Sequence, residues 1–353
     1  MGDFVEKRIA FPFEKIPETG VILEVADNVF WARMPLPWVL DHVNVYILEG
    51  LDGLTIIDTG LNSEVCKSAW TNIFENHFHG KPVKRLLVTH HHPDHVGLVG
   101  WFVKEFDVEL MMSRSAYLMA RMLTLDHQEK PSKETIRFWK RAGMDTRILK
   151  ARLNERPFNF SDSVAPIPSG FMSLIQGEEL NLGGKRWRVE FGQGHAPDHI
   201  TLWGVDDSIV IAGDQIIPSI SSNLGVYATE PFADTVGGWI STCKRFYELA
   251  IHDYLVLPGH KLPFHGLRLR VSQLLENHYS ALSRVEDKLS EGNYSVSDLL
   301  CTIFGRKINA DEYGLALAEA IGHVNYFRRR GRLSWEERSD GALLYSISKT
   351  KSF

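Results

Sequence analysis

Cysteine is scarce in this 353-residue chain: Cys66, Cys243 and Cys301 are far apart and odd in number. That excludes a disulfide framework and a cysteine zinc cluster, and it suits a reducing cytoplasm. No apolar run is long enough to cross a bilayer, and residues 1–15 mix charges and prolines with apolar residues, so neither signal peptide nor membrane anchor is expected. An excess of one charge is also lacking. Lys and Arg number 39 against 44 Asp and Glu, and the formal net charge of -5 disfavours a general nucleic-acid coat. There is no Gly-x-Ser-x-Gly elbow, no catalytic-cysteine arrangement and no phosphate-cradling glycine loop, so a protein nucleophile has no candidate. The remainder is ordinary for a globular protein, at 44% hydrophobic and 24% charged residues, with enough chain for a large core and more than one domain.

What the chain does have is a knot of imidazoles in Leu86-Leu87-Val88-Thr89-His90-His91-His92-Pro93-Asp94-His95. The apolar start reads as a short buried strand, and the polar end is too imidazole-rich for a core. In an extended segment His90 and His92 point the same way and can hold one metal ion. Asp94 and His95, at the turn that follows, can reach a second ion beside it. Without metal, such crowding of imidazoles and a carboxylate brings no structural benefit. His90-x-His92-x-Asp94-His95 resembles the signature of the metallo-β-lactamase-fold hydrolases.

The rest of the chain follows one grammar. Residues 21–25, 29–34, 43–48 and 54–58 are β-branched and aromatic, separated by turn residues such as Asp27-Asn28 and Asp52-Gly53, and read as one antiparallel sheet. Helical spacing follows over 62–76 and 96–106, with a strand over 108–112. A hairpin is expected over 178–191 around Gly183-Gly184, then strands over 200–203, 208–212 and 254–257. His90, His195, Asp214 and His260 each stand just after a strand, preceded by Thr89, Gly194, Gly213 and Gly259. These small residues let the backbone approach closely. Alternating strands and helices indicate a layered α/β fold.

The resemblance implies an αββα sandwich with residues 1–265 as the catalytic domain. It also implies that His90, His92 and His195 bind one ion, that Asp94, His95 and His260 bind a second, and that Asp214 bridges them. Asp94 and Asp214 would be the catalytic carboxylates. Asp58, at the end of a strand, reads either as a helix-start residue or, by resemblance, as a support that orients ligands without binding metal. Mixed imidazole and carboxylate ligands suit two zinc ions, with manganese or iron as alternatives. His91, His199 and His265 fit no ligand position and are read as hydrogen-bonding residues. The implied chemistry is attack by a metal-bridging hydroxide on an activated carbonyl, foremost an acyl-CoA-like thioester. A lactone is the near alternative and single-stranded RNA the distant one. Because the true β-lactamases of the superfamily generally lack the bridging carboxylate, Asp214 argues against antibiotic hydrolysis.

Two regions lie outside the motif. Residues 114–168 read as a helical insert of two or three helices; between 114 and 156 eleven basic residues stand against five acidic ones. This fits either a solvated face or a lid whose apolar side covers an acyl group and whose basic side meets an anionic carrier such as coenzyme A. Residues 266–353 read as helices over 266–289, 295–304 and 311–329 and a hairpin over 332–347, resembling an appended winged-helix module. Arg328-Arg329-Arg330-Gly331-Arg332 is basic, but Asp311-Glu312 opens the helix that would enter a groove. Packing beside the active site or a homodimer contact is therefore favoured over nucleic-acid binding.

Overall fold

The computed structural model describes residues 8–348, so the reading of 1–15 as no leader falls partly, over 1–7, outside the described residues. Strands β1 (Leu23–Ala26), β2 (Val29–Pro35), β3 (His42–Glu49) and β4 (Leu54–Ile57) form the expected antiparallel meander. The sheet then continues in parallel through β5 (Val83–Leu87), β6 (Glu109–Ser113) and β7 (Met172–Leu174). Helix α1 (Glu64–Ile73) connects β4 to β5, with Ser63 accepting from the Cys66 N–H at its start. A single π-type turn, Phe74–Phe78, extends it. The helix expected over 96–106 is broken into α2 (Pro93–Val96) and α3 (Val99–Phe106). Strand β7 was not legible in the sequence: three residues after a proline pair carry too little pattern.

The second sheet contains β8 (Glu179–Leu182), β9 (Lys185–Gly192), β10 (His199–Gly204), β11 (Ile209–Gly213) and β12 (Leu255–Pro258), in the order β12-β11-β10-β9-β8. Strand alternation sends Tyr46, Leu48 and Ile57 into the space between the sheets, where they meet Trp187, Val189, Ile200 and Leu202. Val45, Ile47 and Ile56 point the other way, to Trp70 of α1 and Phe102 of α3. Burying each such side chain contributes about 1.5–3 kcal/mol. This double-sided burial explains why β3 reads as a nearly continuous apolar run.

The insert is three helices, α4 (Arg114–Leu125), α5 (Lys133–Arg141) and α6 (Thr146–Asn154). Ser113, Ser132 and Asp145 cap their N-termini through the side chain. The outer face of the second sheet is covered by α7 (Thr235–Leu249), α8 (Leu267–Glu291) and α10 (Tyr313–Arg329), with the short α9 (Leu300–Phe304) between the last two. Val210, Ala212, Trp239, Phe246, Leu274, Leu282, Leu317 and Val324 share one core. The closing hairpin pairs β13 (Leu333–Glu337) with β14 (Leu343–Ile347). Among the described residues no helix is long and apolar enough to cross a membrane.

One polar clamp crosses the sandwich. Asn44 accepts from Trp31 Nε1 at 2.9 Å and donates to the carbonyls of Pro258 at 2.8 Å and Lys261 at 2.9 Å, while Tyr46 Oη donates to Pro258 at 2.8 Å. Asn44→Ala leaves Trp31 Nε1 and the Lys261 carbonyl with fewer partners in a buried setting. Each orphaned group costs on the order of 1–3 kcal/mol, so the urea midpoint of this variant is expected to fall. An unchanged midpoint would show that the clamp contributes nothing.

Candidate metal centre

The strand ends converge at one rim of the sandwich. After β5 come His90, His92, Asp94 and His95; after β9 comes His195; after β11, Asp214; after β12, His260. Gly194, at φ +104, allows the approach of β9's end to α7, since a Cβ there would lie 2.7 Å from Trp239 Cβ. Gly259 is as tightly placed: its Cβ would fall 2.1 Å from Asp214 Oδ1. Two of the small residues noted in the sequence are thus sterically required.

The side chains sort into two adjoining groups. His90 Nε2 lies 3.0 Å from His92 Nδ1 and 3.3 Å from His195 Nε2. Asp94 Oδ2 lies 3.3 Å from His260 Nε2 and 3.6 Å from His95 Nε2. Asp214 stands between them, with Oδ2 3.4 Å from His195 Nε2 and 3.2 Å from His260 Nε2, and Oδ1 3.3 Å from His95 Nε2. Either group could hold one cation, and Asp214 could touch both.

The surrounding hydrogen bonds decide which nitrogen faces inward. Thr89 Oγ1 donates to Asp58 Oδ2 at 2.8 Å and so accepts from His90 Nδ1 at 3.0 Å. His195 Nδ1 donates to the Asn223 carbonyl at 2.9 Å, His260 Nδ1 to the His42 carbonyl at 2.8 Å, and His95 Nδ1 to Asp58 Oδ2 at 2.8 Å. In each case Nδ1 carries a proton, so Nε2 is the nitrogen turned to the centre. Asp58 does not bond to its own helix: its Oδ1 accepts from the Thr89 N–H at 2.8 Å. His95 Nε2 and Asp214 Oδ1 are buried without a hydrogen-bond partner. Ring nitrogens that converge at 3.0–3.3 Å, with His95 Nε2 and Asp214 Oδ1 left without a hydrogen bond, are a set that fits divalent cations.

Electrostatics divide the groups. Burial, then the neighbouring imidazoles, hold His90 and His92 well below the usual histidine range, so both stay neutral. For His260 burial opposes the charge but Asp214 and Asp94 outweigh it, raising it to about 10. His95 is raised for the same reason, chiefly by Asp214, and Asp214 is held well below the carboxylate range against its burial by His260 and His95.

Of the histidines set aside in the sequence, His199 Nε2 accepts from the Asp214 N–H at 3.1 Å, and His265 pairs with Asp253 away from the centre. His91 stacks at 6.3 Å on Phe160 of the insert. Three supporting residues escaped the sequence reading. Asn44, a polar residue inside an apolar strand, offered a signal; the backbone carbonyls of His42 and Asn223 offered none.

The insert is tied to this rim. Ser115 of α4 donates to Asp198, which also accepts from Gln193 Nε2 at 2.7 Å, in the loop that carries His195. Behind Phe160 opens a cavity of about 540 Å³ between the insert, residues 226–229 and the start of α10. Phe138, Trp139, Met144, Phe158 and Leu315 supply its apolar wall. Arg152 lies over the Trp139 ring at 5.3 Å and against Gly314, where an added Cβ would meet it at 2.6 Å. A second, smaller cavity of about 210 Å³ shares Phe138 and Ala228 with the first and carries Arg137, Arg141 and Arg328.

The family described as the Metallo-beta-lactamase superfamily matches residues 38–271. The chain is similar to "Probable metallo-hydrolase YqjP" of Bacillus subtilis, 23% identical over 321 residues that cover 88% of this chain and 96% of the relative. An 88-residue stretch, 25% of this chain and 13% of the relative, is 36% identical to the alkyl/aryl-sulfatase BDS1 of Saccharomyces cerevisiae. Among solved structures, a Beta-lactamase domain protein from Burkholderia ambifaria superposes with a TM-score of 0.86 at 32% identity, over 96% of this chain and 97% of that one.

Two outcomes test the centre. A histidine must be neutral to bind a metal, so metal uptake by apo-protein at pH 8 is expected to release protons from His260 and His95, and the share from His260 should vanish as pH rises past about 10. An indicator dye in weak buffer reads this, and uptake without release would refute the charge assignment. Asp58→Asn is expected to weaken metal binding roughly 10–100-fold by leaving His95 unoriented, as measured by competition with a chromogenic chelator.

Proposed function

The chain belongs to the metallo-beta-lactamase superfamily, and from that premise we propose a dinuclear metal-dependent hydrolase that cleaves an acyl thioester on an anionic carrier. His90, His92 and His195 would hold one ion, Asp94, His95 and His260 the other, and Asp214 both. Zinc fits this imidazole-rich set best. Bound divalent cations supply an activated water and polarise the scissile carbonyl. Asp94 and Asp214 would be the carboxylates able to hold the proton given up by the attacking water. That proton then passes to the departing thiolate, so that water and thioester become acid and thiol.

The observation that carries the substrate class is the pair of neighbouring cavities, which share Phe138 and Ala228 in their walls. Phe160 belongs to the wall of the apolar chamber and its ring lies 6.3 Å from that of His91, next to the metal rim, and the neighbouring cavity gathers Arg137, Arg141 and Arg328 with Glu134 as its one carboxylate. An acyl or pantetheine-like chain suits the first and phosphates suit the second. Most of α10 is buried, including Ala316, Leu317, Ala320, Ile321 and Val324, which supports a packing role for the C-terminal helices rather than insertion into a nucleic-acid groove. A second reading, hydrolysis of an apolar sulfate ester, is favoured by the stretch shared with the alkyl/aryl-sulfatase; in it Arg152 would face the sulfate.

The deciding experiment compares thiol release from a medium-chain acyl-coenzyme A with sulfate release from a long-chain alkyl sulfate and ring opening of a lactone. Metal-dependent, saturable thiol release is expected, lost in Asp214→Ala with cooperative unfolding retained. Arg137→Ala with Arg141→Ala should raise KM for the coenzyme A thioester roughly tenfold, worth about 1.4 kcal/mol, without changing KM for an uncharged thioester. Equal effects on both substrates would remove the carrier site, and sulfate release alone would select the second reading.

A further inference from the structure

A separate cluster of metal-ligating side chains stands inside the helical layer. His278 projects from α8, and Glu319 and His323, four residues apart and so on one face, project from α10. One ligand atom from each lies within 4.8 Å of the other two. Both histidines are 1% exposed.

Hydrogen bonding leaves this cluster unfinished. His323 Nδ1 donates to the Glu319 carbonyl at 3.0 Å, which fixes Nε2 as the lone pair, and that Nε2 has no partner. Neither ring nitrogen of His278 has one either. The two rings lie 5.6 Å apart, and Trp239 Nε1, also without a partner, is on a ring 6.2 Å from His278. Buried polar atoms left in this state cost on the order of 1–3 kcal/mol each. Burial lowers His278 to about 3 and His323 to about 4, so both present neutral imidazoles, and it raises Glu319 to about 7. A proton on Glu319 could satisfy one of these nitrogens, whereas a cation takes both imidazole lone pairs and the carboxylate charge together.

We propose that His278, Glu319 and His323 form an additional divalent transition-metal site, pinning α8 to α10 and distinct from the centre at the strand ends. Two imidazoles and one carboxylate suit zinc, with the fourth position left to a small ligand that can accept from Trp239 Nε1. The site also reaches towards the reaction centre. Asn223 Nδ2 donates to Glu319 Oε2 at 3.0 Å, and the Asn223 carbonyl accepts from His195 Nδ1 at 2.9 Å. An ion that fixes the Glu319 carboxylate therefore steadies the loop that orients His195. The proposal is independent of the substrate assigned above.

Crystals of the zinc-loaded full chain, measured on either side of the zinc absorption edge, read the site directly. An anomalous peak between α8 and α10 is expected in addition to density at the strand-end centre. No peak there at saturating zinc, with the strand-end centre occupied, overturns the proposal. In solution, the double variant His278→Leu with His323→Leu keeps the core apolar and should bind about one equivalent less zinc than the parent chain. Equal zinc content in both also overturns it. If the double variant fails to fold, Glu319→Gln provides the same comparison.

Discussion

Desolvation of charge governs this molecule. Five imidazoles and two carboxylates are held together at the end of a sandwich, most of them buried, with lone pairs directed at a common space. In water such groups would scatter; in the fold they are locked by Asp58, Thr89, and the carbonyls of His42 and Asn223. Carboxylates and raised histidines partly neutralise one another, but His90 and His92 remain neutral donors crowded against each other. A divalent cation would resolve that arrangement at low cost, which is the chemistry proposed for the site.

The sandwich supplies the rigidity this demands. Asp58 bonds to the residue that precedes His90 and to His95, so β4 and β5 act as one support. Asn44 and Tyr46 reach from the first sheet to the Pro258 carbonyl, fixing the turn that presents His260 from the second. The centre therefore lies across both sheets. Relative sliding of the sheets would separate Asp214 and His260 from His90 and His95, and the tightly filled space between them resists it.

In the proposed function, substrate recognition belongs to a different part of the chain. The insert contributes amphipathic helices whose apolar sides, together with the N-terminal end of α10, line the large cavity, while Arg137 and Arg141 line the smaller one beside it. The anchor between Ser115 and Asp198 ties it to the His195 loop. In that reading chemistry and recognition are carried by separate segments joined at a few contacts, an arrangement that lets pocket shape vary while the centre is kept.

The sequence by itself determined the kind of chemistry and the layered architecture. Ligand-type residues directly after apolar strands, as in His90 to His95, have no packing value, and the β-branched and aromatic runs over 29–34 and 43–48, bounded by turn residues, read as strands. It could not reveal β7, whose three residues are a strand only because β6 lies beside them, or α7, whose glycines blur helical spacing. Asp58 read equally as a helix-start residue, because the bond to His95 spans 37 positions and leaves no local trace. Tertiary structure alone placed His278 beside His323, set the two cavities side by side, and made Asn44 a clamp on Pro258. The physical reason is common to these cases. Local pattern records which side of an element is apolar, whereas contacts between distant elements depend on how sheets and helices pack, and that is set by the whole core at once.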